Sequence, residues 1–209
     1  NIANKNPNYC ELTAWYWLWK NCELPQYIGL CHYRRFFVKK DYNLLAGGVH
    51  LLDSIDVNAI MREFDVILPK KIDCGMSVKK FYYNHGEGRK KDIETVEDII
   101  KSFYPNYVEA LKSVLEGDSS SYWNLVVMKQ EDYIEYCEWL FSILFELEKV
   151  TDLSTYTSQE ARIYGYLAEI LINVWVKYKK LRIYYCDMIF VDNNKVKNFL
   201  RKLRIHISK

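Results

Sequence analysis

The chain carries almost no net charge: 29 Lys and Arg stand against 27 Asp and Glu in 209 residues, a formal +2. That balance excludes the bulk electrostatic footprint of a nucleic-acid-binding domain, so any cationic function is local. The six cysteines, Cys10, Cys22, Cys31, Cys74, Cys137 and Cys186, include no C-x-x-C pair. The chain is too long for a disulfide scaffold, and most of these thiols have apolar neighbours. Free buried thiols in a reducing compartment follow. No apolar run reaches the length of a membrane span. The richest, "YCEWLFSILFELE", is interrupted by Glu138 and Glu146. No secretory leader pattern is visible in a chain that opens on Asn rather than Met. There is no P-loop, no H-E-x-x-H and no G-x-S-x-G. The G-x-G of "HGEG" lacks both the third glycine and the strand-turn-helix context of a dinucleotide fingerprint.

What is present suits one domain, or one domain with an appendage, long enough to bury a real core. Tyrosine is abundant at 18 residues. Its amphipathic ring stacks on sugars or lines a wet cleft as readily as it fills a core. "NPNYCELTAWYWLWKN" reads as one helix, with Asn6 as cap and Pro7 at the first position. A helix so apolar is buried, which leaves Glu11 inside it in need of a partner or a cavity. "YIGLC" reads as a first strand, "FDVILP" as a second and "YWNLVVMK" as a third. Residues 41–62 read as a loop around Gly47-Gly48 and then a short helix, and residues 72–91 as irregular. "DIETVEDIIKSFY" and "NYVEALKSVLEG" are amphipathic helices. Two long helices follow, at 130–150 and 155–178, the second with Thr157 or Ser158 as cap. "LRIYYCDMIFVD" is late strand material. The alternation predicts a single α/β layered domain over 1–209: a mostly parallel sheet flanked by helices, a helical C-terminal half, and a basic amphipathic tail at 195–209.

In such sheets ligands sit beyond the carboxyl ends of the strands. Two strands here end in cations. His32, Arg34 and Arg35 follow the first, in "YIGLCHYRRFF", and Lys70 and Lys71 follow the second. If these strands are parallel neighbours, the cations converge on one crevice that suits a diphosphate. Lys70 and Lys71 read better as solvated loop charges. The neighbours Tyr33, Phe36 and Phe37 imply that "HYRR" is partly buried, and a partly buried Arg needs an anionic partner.

Gln159, Arg162, Tyr166, Glu169 and Asn173 recur at spacings of 3, 4, 3 and 4, which puts them on one face of an otherwise apolar helix. Either that face meets water, or it lines a site. Exposed faces mostly use Lys and Glu, so this amide, guanidinium, phenol and carboxylate set favours a ligand. Asn124 is either a strand-end residue or an amide that bonds a sugar or base. His85, in a glycine-rich loop, is either exposed or a further binding group.

These segments, in this order, resemble a family of bacterial capsular and exopolysaccharide biosynthesis proteins, long described as a domain of unknown function and treated as glycosyltransferase-like. The resemblance runs from about Asn1 to Trp175, and its most specific block is "CELTAWYWLWKN" followed by "YIGLCHYRR". It implies a GT-A-like nucleotide-sugar fold and transfer of a sugar, with galactose or galactofuranose among the donors. Carried over by position, the family pattern falls on Asn6, Tyr9, Glu11, Leu12 and Thr13; on His32, Tyr33, Arg34 and Arg35; on Asn124; and on Gln159, Arg162, Gly165 and Glu169. Two departures stand out. Ile170 occupies a position where the family commonly has Arg. The family's leading segment, a strand and a Gly/Asp-containing loop, is expected to be missing.

The resemblance also implies roles. No D-x-D pair is present to hold a divalent metal. His32, Arg34 and Arg35 are therefore expected to neutralise the leaving diphosphate directly, with no metal or other cofactor. Glu169 is the first candidate for general base on the acceptor hydroxyl and Glu11 the second. Tyr33, Asn124, Gln159, Arg162, Tyr166 and His85 are expected to bind substrate. The expected partners are a nucleotide-sugar donor and a saccharide or lipid-linked acceptor, with no nucleic acid. The tail would touch an anionic membrane from the cytoplasmic side. The alternative is a carbohydrate- or nucleotide-binding module without catalysis.

Overall fold

A computed structural model describes residues 1–39, 50–84 and 88–191. The expectations for His85, for Gly47-Gly48 and for the tail at 195–209 fall outside these residues. The helices are α1 (Asn6–Tyr9), α2 (Leu12–Asn21), α3 (Ser54–Ile60), α4 (Val78–Asn84), α5 (Lys90–Phe103), α6 (Val108–Glu116), α7 (Gln130–Val150) and α8 (Ile163–Tyr178). The strands are β1 (Tyr27–Leu30), β2 (Arg35–Val38), β3 (Val66–Pro69), β4 (Ile72–Asp73), β5 (Ser119–Ser120), β6 (Val126–Lys129) and β7 (Ile183–Phe190).

A five-stranded sheet has the order β1-β6-β3-β7-β2, and β4 and β5 form a separate small ladder. The sheet is mixed, not mostly parallel: only β3 and β7 pair in parallel, and the other three pairings are antiparallel. The connections explain this. A single crossover helix returns a strand parallel to its predecessor. Between β6 and β7 lie two long helices, so the chain goes out, comes back and enters β7 opposed to β6. β1 and β3 both oppose β6, so they do run in the same direction, with β6 between them.

β1 and β2 sit on opposite edges of the order, yet only residues 31–34 join them. That link must cross the ends of β6, β3 and β7, which requires the sheet to curl. "HYRR" therefore caps the end of the sheet where β1 and β3 finish and β6 begins.

All four residues of β3 are buried. Val66 and Leu68 enter the large core beneath α5, α7 and α8, while Ile67 faces a smaller one with Phe37, Met61 and Val127. This is the two-residue alternation of a strand covered on both faces. α7 matches its predicted span, with Glu131 and Asp132 at its N-terminus and Lys149 in its last turn, each sign suiting the helix dipole. Among the described residues, no helix is long and apolar enough to cross a membrane. All six cysteines are free; Cys74, Cys137 and Cys186 are buried and Cys31 is exposed.

Three local expectations need correction. The first helix breaks at Cys10, which takes φ +53°. The second long helix starts at Ile163, later than Thr155, because residues 160–162 form a 3-10 turn. There Thr157 and Glu160 cap each other, the Thr157 N–H donating to Glu160 Oε2 (2.8 Å) and the Glu160 N–H to Thr157 Oγ1 (3.2 Å). The described residues of 72–91 are not irregular, since they hold β4, α4 and the start of α5.

Candidate functional site

The site begins with the helix break. Cys10 adopts φ +53° with ψ −134°, a conformation that non-glycine residues rarely hold. Hydrogen bonds fix it there. The Cys10 carbonyl accepts from Asn6 Nδ2 (2.9 Å) and Thr13 Oγ1 (3.0 Å), and the Cys10 N–H donates to the Asn6 carbonyl (2.8 Å). The break takes Glu11 out of a helix interior and sets it at the head of α2.

A second kink faces the first. Trp123 (φ +73°) and Asn124 (φ +51°) are consecutive left-handed residues just before β6. Asn tolerates this conformation, whereas Trp costs roughly 1–2 kcal/mol there. Asn124 is buried, and its Nδ2 donates to Glu11 Oε1 (2.7 Å) and to the Gly165 carbonyl (3.1 Å). Both amide hydrogens are thus given to protein. Through Nδ2, Asn124 aims Glu11 and ties α8 to the kink. Gly165 completes the joint. A Cβ there would stand 3.1 Å from Cys10 Sγ, a tight contact that would press α8 and the break apart.

Two cavities open around this joint. One, of about 260 Å³, is lined by Arg35, Trp123, Gln159, Arg162, Tyr166 and Glu169, with Tyr122, Phe81 and Ile72 completing its walls. The other, of about 450 Å³ and more open, is lined by Cys10, Glu11, Cys31, His32, Tyr33 and Arg162, with Asn6 and Pro7. Arg162 belongs to both. Its Nε donates to Cys10 Sγ (3.2 Å), and its guanidinium carbon stands 5.4 Å from the Tyr166 ring. Burial pushes the Cys10 thiol up more than Arg162 pulls it down, so the thiol is neutral at neutral pH. Gln159 Nε2 donates to the Tyr166 hydroxyl.

"HYRR" is a turn, closed by the Arg35 N–H donating to the His32 carbonyl (3.0 Å). Arg35 then enters β2, opposite Phe190. Its guanidinium carbon lies 5.5 Å from the Trp123 ring and 5.4 Å from the Phe190 ring. Burial weakens the hold of Arg35 on its proton, the facing Glu169 strengthens it, and the group remains a cation at neutral pH. His32 differs. Burial first, and Arg35 second, lower its pKa below the ordinary 6.5. In the empty site it is neutral at pH 7, not one of three cations. Arg34 lines neither cavity. Its guanidinium carbon packs 4.6 Å from the Tyr33 ring, and its Nε is buried with no hydrogen-bond partner among the described residues.

The predicted residues thus divide. Glu11, His32, Tyr33, Arg35, Gln159, Arg162, Tyr166 and Glu169 meet around two adjoining cavities, Asn124 and Arg34 stand behind them, and His85 lies outside the described residues. Lys70 and Lys71 do not join. Lys70 pairs with Asp187 (2.7 Å), and Lys71 lies over Tyr185 at 5.9 Å. Asn173, the last of the stripe, is a buried tie: its amide donates to the carbonyls of Ser121 and Glu169, both at 2.8 Å, and its oxygen accepts from the Ser121 N–H (3.1 Å). Sequence reasoning missed Cys10, Phe81, Tyr122 and Trp123 as lining. Their signal is weak, because each reads as ordinary helix or core until the kinks are known. Among the described residues, no three His, Cys, Asp or Glu side chains group as metal ligands.

The profile of the family described as a domain of unknown function, DUF4422, matches residues 1–180. No curated protein matches the chain. Among solved structures, the apo structure of the WbbM bifunctional glycosyltransferase matches with a TM-score of 0.82 at 30% identity, over 92% of this chain and 38% of that one. The chain therefore spans less than two fifths of that protein's length. The fold is thus shared with part of a glycosyltransferase. The matched span 1–180 carries both kinks, "HYRR" and all of α8, so the chain belongs to the DUF4422 family.

Proposed function

We propose that this chain is a glycosyltransferase that moves a sugar, galactose or galactofuranose among the candidates, from a nucleotide-diphosphate donor to a saccharide or lipid-linked acceptor of cell-surface polysaccharide synthesis. The observation that carries the reading is one aromatic-walled cavity of about 260 Å³ in which Arg35, Arg162 and Glu169 face the same space. Aromatic walls suit a sugar ring, and two guanidinium groups suit a diphosphate. The likeness to part of a bifunctional glycosyltransferase supports it independently.

In this reading Arg35 and Arg162 hold the donor diphosphate and stabilise the charge that grows on it as the glycosidic bond breaks. Arg34 braces the turn from behind. His32, neutral when the site is empty, gains a proton beside the dianion and becomes a third donor. Glu169 takes the proton of the acceptor hydroxyl. Glu11, held by Asn124 and next to the more open cavity, orients the incoming saccharide and is the second candidate base. The arginines do this work without a metal. Tyr33, 72% exposed at the mouth, offers a stacking face to the donor base or the acceptor. The protein works on the cytoplasmic side, with the tail at 195–209 touching the membrane that carries a lipid-linked acceptor.

The test is a screen of nucleotide sugars for binding, followed by hydrolysis without acceptor. Slow release of nucleoside diphosphate, abolished in Glu169→Gln, is the expected result. A protein that binds a nucleotide sugar or saccharide but never turns it over is a binding module, and the enzymatic reading then fails.

A further inference from the structure

A further cavity lies outside this site. It has a volume of about 480 Å³ and is lined by the end of α6, by Asn173, Val176, Lys177 and Lys180 at the end of α8, by Lys71, and by Ile183 and Tyr185 of β7. Its charged lining is three lysines against one acid, Asp118.

The lysines here differ from their immediate neighbours. Lys70 is paired with Asp187 and Lys179 with Glu135, both at 2.7 Å. Lys71, Lys177 and Lys180, which line the cavity, have no ion pair among the described residues; Lys71 has only its contact with the Tyr185 ring. The chain places paired lysines beside unpaired ones, and the unpaired ones share a concave space.

The backbone reinforces this. α8 ends in a Schellman motif: the Leu181 N–H donates to the Val176 carbonyl (3.1 Å) and the Lys180 N–H to the Lys177 carbonyl (3.2 Å). The residue at the left-handed position of this motif is usually Gly. Here it is Lys180, at φ +54°. A lysine at that position lines the cavity at a cost in backbone strain.

This cavity adjoins the candidate active site along α8. Tyr166, Glu169, Asn173 and Lys177 continue one helix face at spacings of 3, 4 and 4, and Lys180 follows in the turn that ends the helix. Asn173 separates the two spaces and bonds both the Glu169 carbonyl and Ser121, next to Tyr122 and Trp123 of the active-site wall. From Glu169 to Lys177 the rise is about 12 Å. A diphosphate leaving beside Glu169 stays with Arg35 and Arg162, so these lysines meet a different anion.

We propose that Lys71, Lys177 and Lys180 form a second anion subsite, which takes a phosphate group carried by the acceptor. The proposal rests on the glycosyltransferase reading for the word acceptor, but the anion site itself does not. The shared ligand chemistry is a phosphate dianion, and its two possible sources are the acceptor and a free phosphorylated effector.

Calorimetric titration of pyrophosphate into the full chain saturated with uridine diphosphate reads this subsite with the first one filled. One equivalent binds, and Lys177→Ala/Lys180→Ala weakens it by about tenfold or more. Unchanged binding in that variant overturns the subsite. If uridine diphosphate does not bind at all, the donor reading fails on its own, and the same lysine comparison in ligand-free protein still decides the subsite. The source is decided by kinetics with an alkyl glycoside acceptor, with and without a distal phosphate. An acceptor phosphate lowers KM in the wild type but not in the lysine variant, leaves kcat unchanged, and makes pyrophosphate competitive with acceptor. Pyrophosphate that alters kcat without competing identifies a free effector and overturns the acceptor assignment.

Discussion

The joint between Gly165 and Cys10 makes a quantitative prediction. Gly165 is the third residue of α8, where alanine would normally favour the helix by up to about 1 kcal/mol. The structure opposes that gain. The new Cβ would stand 3.1 Å from Cys10 Sγ, 3.3 Å from Cys10 Cβ and 3.8 Å from the Tyr9 carbonyl oxygen. Cys10 cannot give way easily, because four hydrogen bonds hold its backbone at φ +53° and its thiol meets Arg162. Overpacking of this kind costs about 1–3 kcal/mol. The cost matches or exceeds the propensity gain, so with the full gain subtracted Gly165→Ala destabilises by about 0–2 kcal/mol on these two terms.

Cys10→Gly removes both of the closest atoms and suits the unusual backbone angle. In that background Gly165→Ala has only its helix propensity left and becomes neutral or stabilising. The coupling energy of the double-mutant cycle is therefore about 1–3 kcal/mol, whatever the sign of Cys10→Gly alone. Urea unfolding of all four proteins, with equal m-values, measures it. Additivity within about 0.5 kcal/mol would mean that helix and break do not press on each other, and the account of Gly165 would be wrong.

Four other outcomes follow from the site. Arg35→Ala and Arg162→Ala should each weaken nucleotide-diphosphate binding by about 1.5–3 kcal/mol, with Lys restoring only part; equal affinity in all variants by calorimetry would remove the diphosphate role. Glu169→Gln should keep donor affinity and cut turnover by about 10²–10⁴-fold, whereas a fully active variant would transfer the base assignment to Glu11. A strong chelator should leave turnover intact; loss on chelation with recovery on adding manganese or magnesium would show that a metal shares the diphosphate with the arginines. His32, followed by its ring proton resonances, should titrate below 6.5 in the empty protein and move upward when pyrophosphate binds. Because its folded value is the lower one, the unfolded chain binds the proton first. The contribution of His32 to stability is present above the ordinary value and is lost as pH falls through the folded one. A ligand-free titration above 6.5 would contradict the burial argument.

Elements with local causes were legible in the sequence. α5, α6 and α7 are amphipathic or end-charged in themselves, and β1 and β3 are short apolar runs with breakers. What could not be read depends on partners far along the chain. Arg35–Val38 is a strand only because β7, some 150 residues later, offers Phe190 to Asp187 as its ladder. The break at Cys10 needs Asn6 and Thr13 to hold it and Gly165 to receive it. Without the break, Glu11 reads as a buried helical carboxylate; with it, Glu11 meets Asn124. The mixed sheet escaped for the same reason. Strand direction depends on how many helices lie between strands and where they pack, and the apolar runs do not record that.

The polar stripe kept its spacing although the helix begins later than expected. Gln159 and Arg162 are not in α8, yet they extend its line, because a 3-10 turn repeats every three residues and keeps the spacing in phase. The stripe then continues past Glu169 to Lys177 and Lys180, so one helix supplies residues to both the proposed active site and the lysine cavity. Backbone strain follows the same geography. Among the described residues, four non-glycine residues have positive φ: Cys10, Trp123, Asn124 and Lys180. Cys10, Trp123 and Lys180 line the three cavities, and Asn124 holds Glu11 at the edge of one. Strained residues persist only where the surroundings hold them, and they cluster where side chains must be aimed. Three of them, Cys10, Trp123 and Asn124, lie at the joint beside the start of α8. The Schellman end of α8 accounts for a positive φ at Lys180, so it is Cys10, Trp123 and Asn124 that argue for aimed side chains.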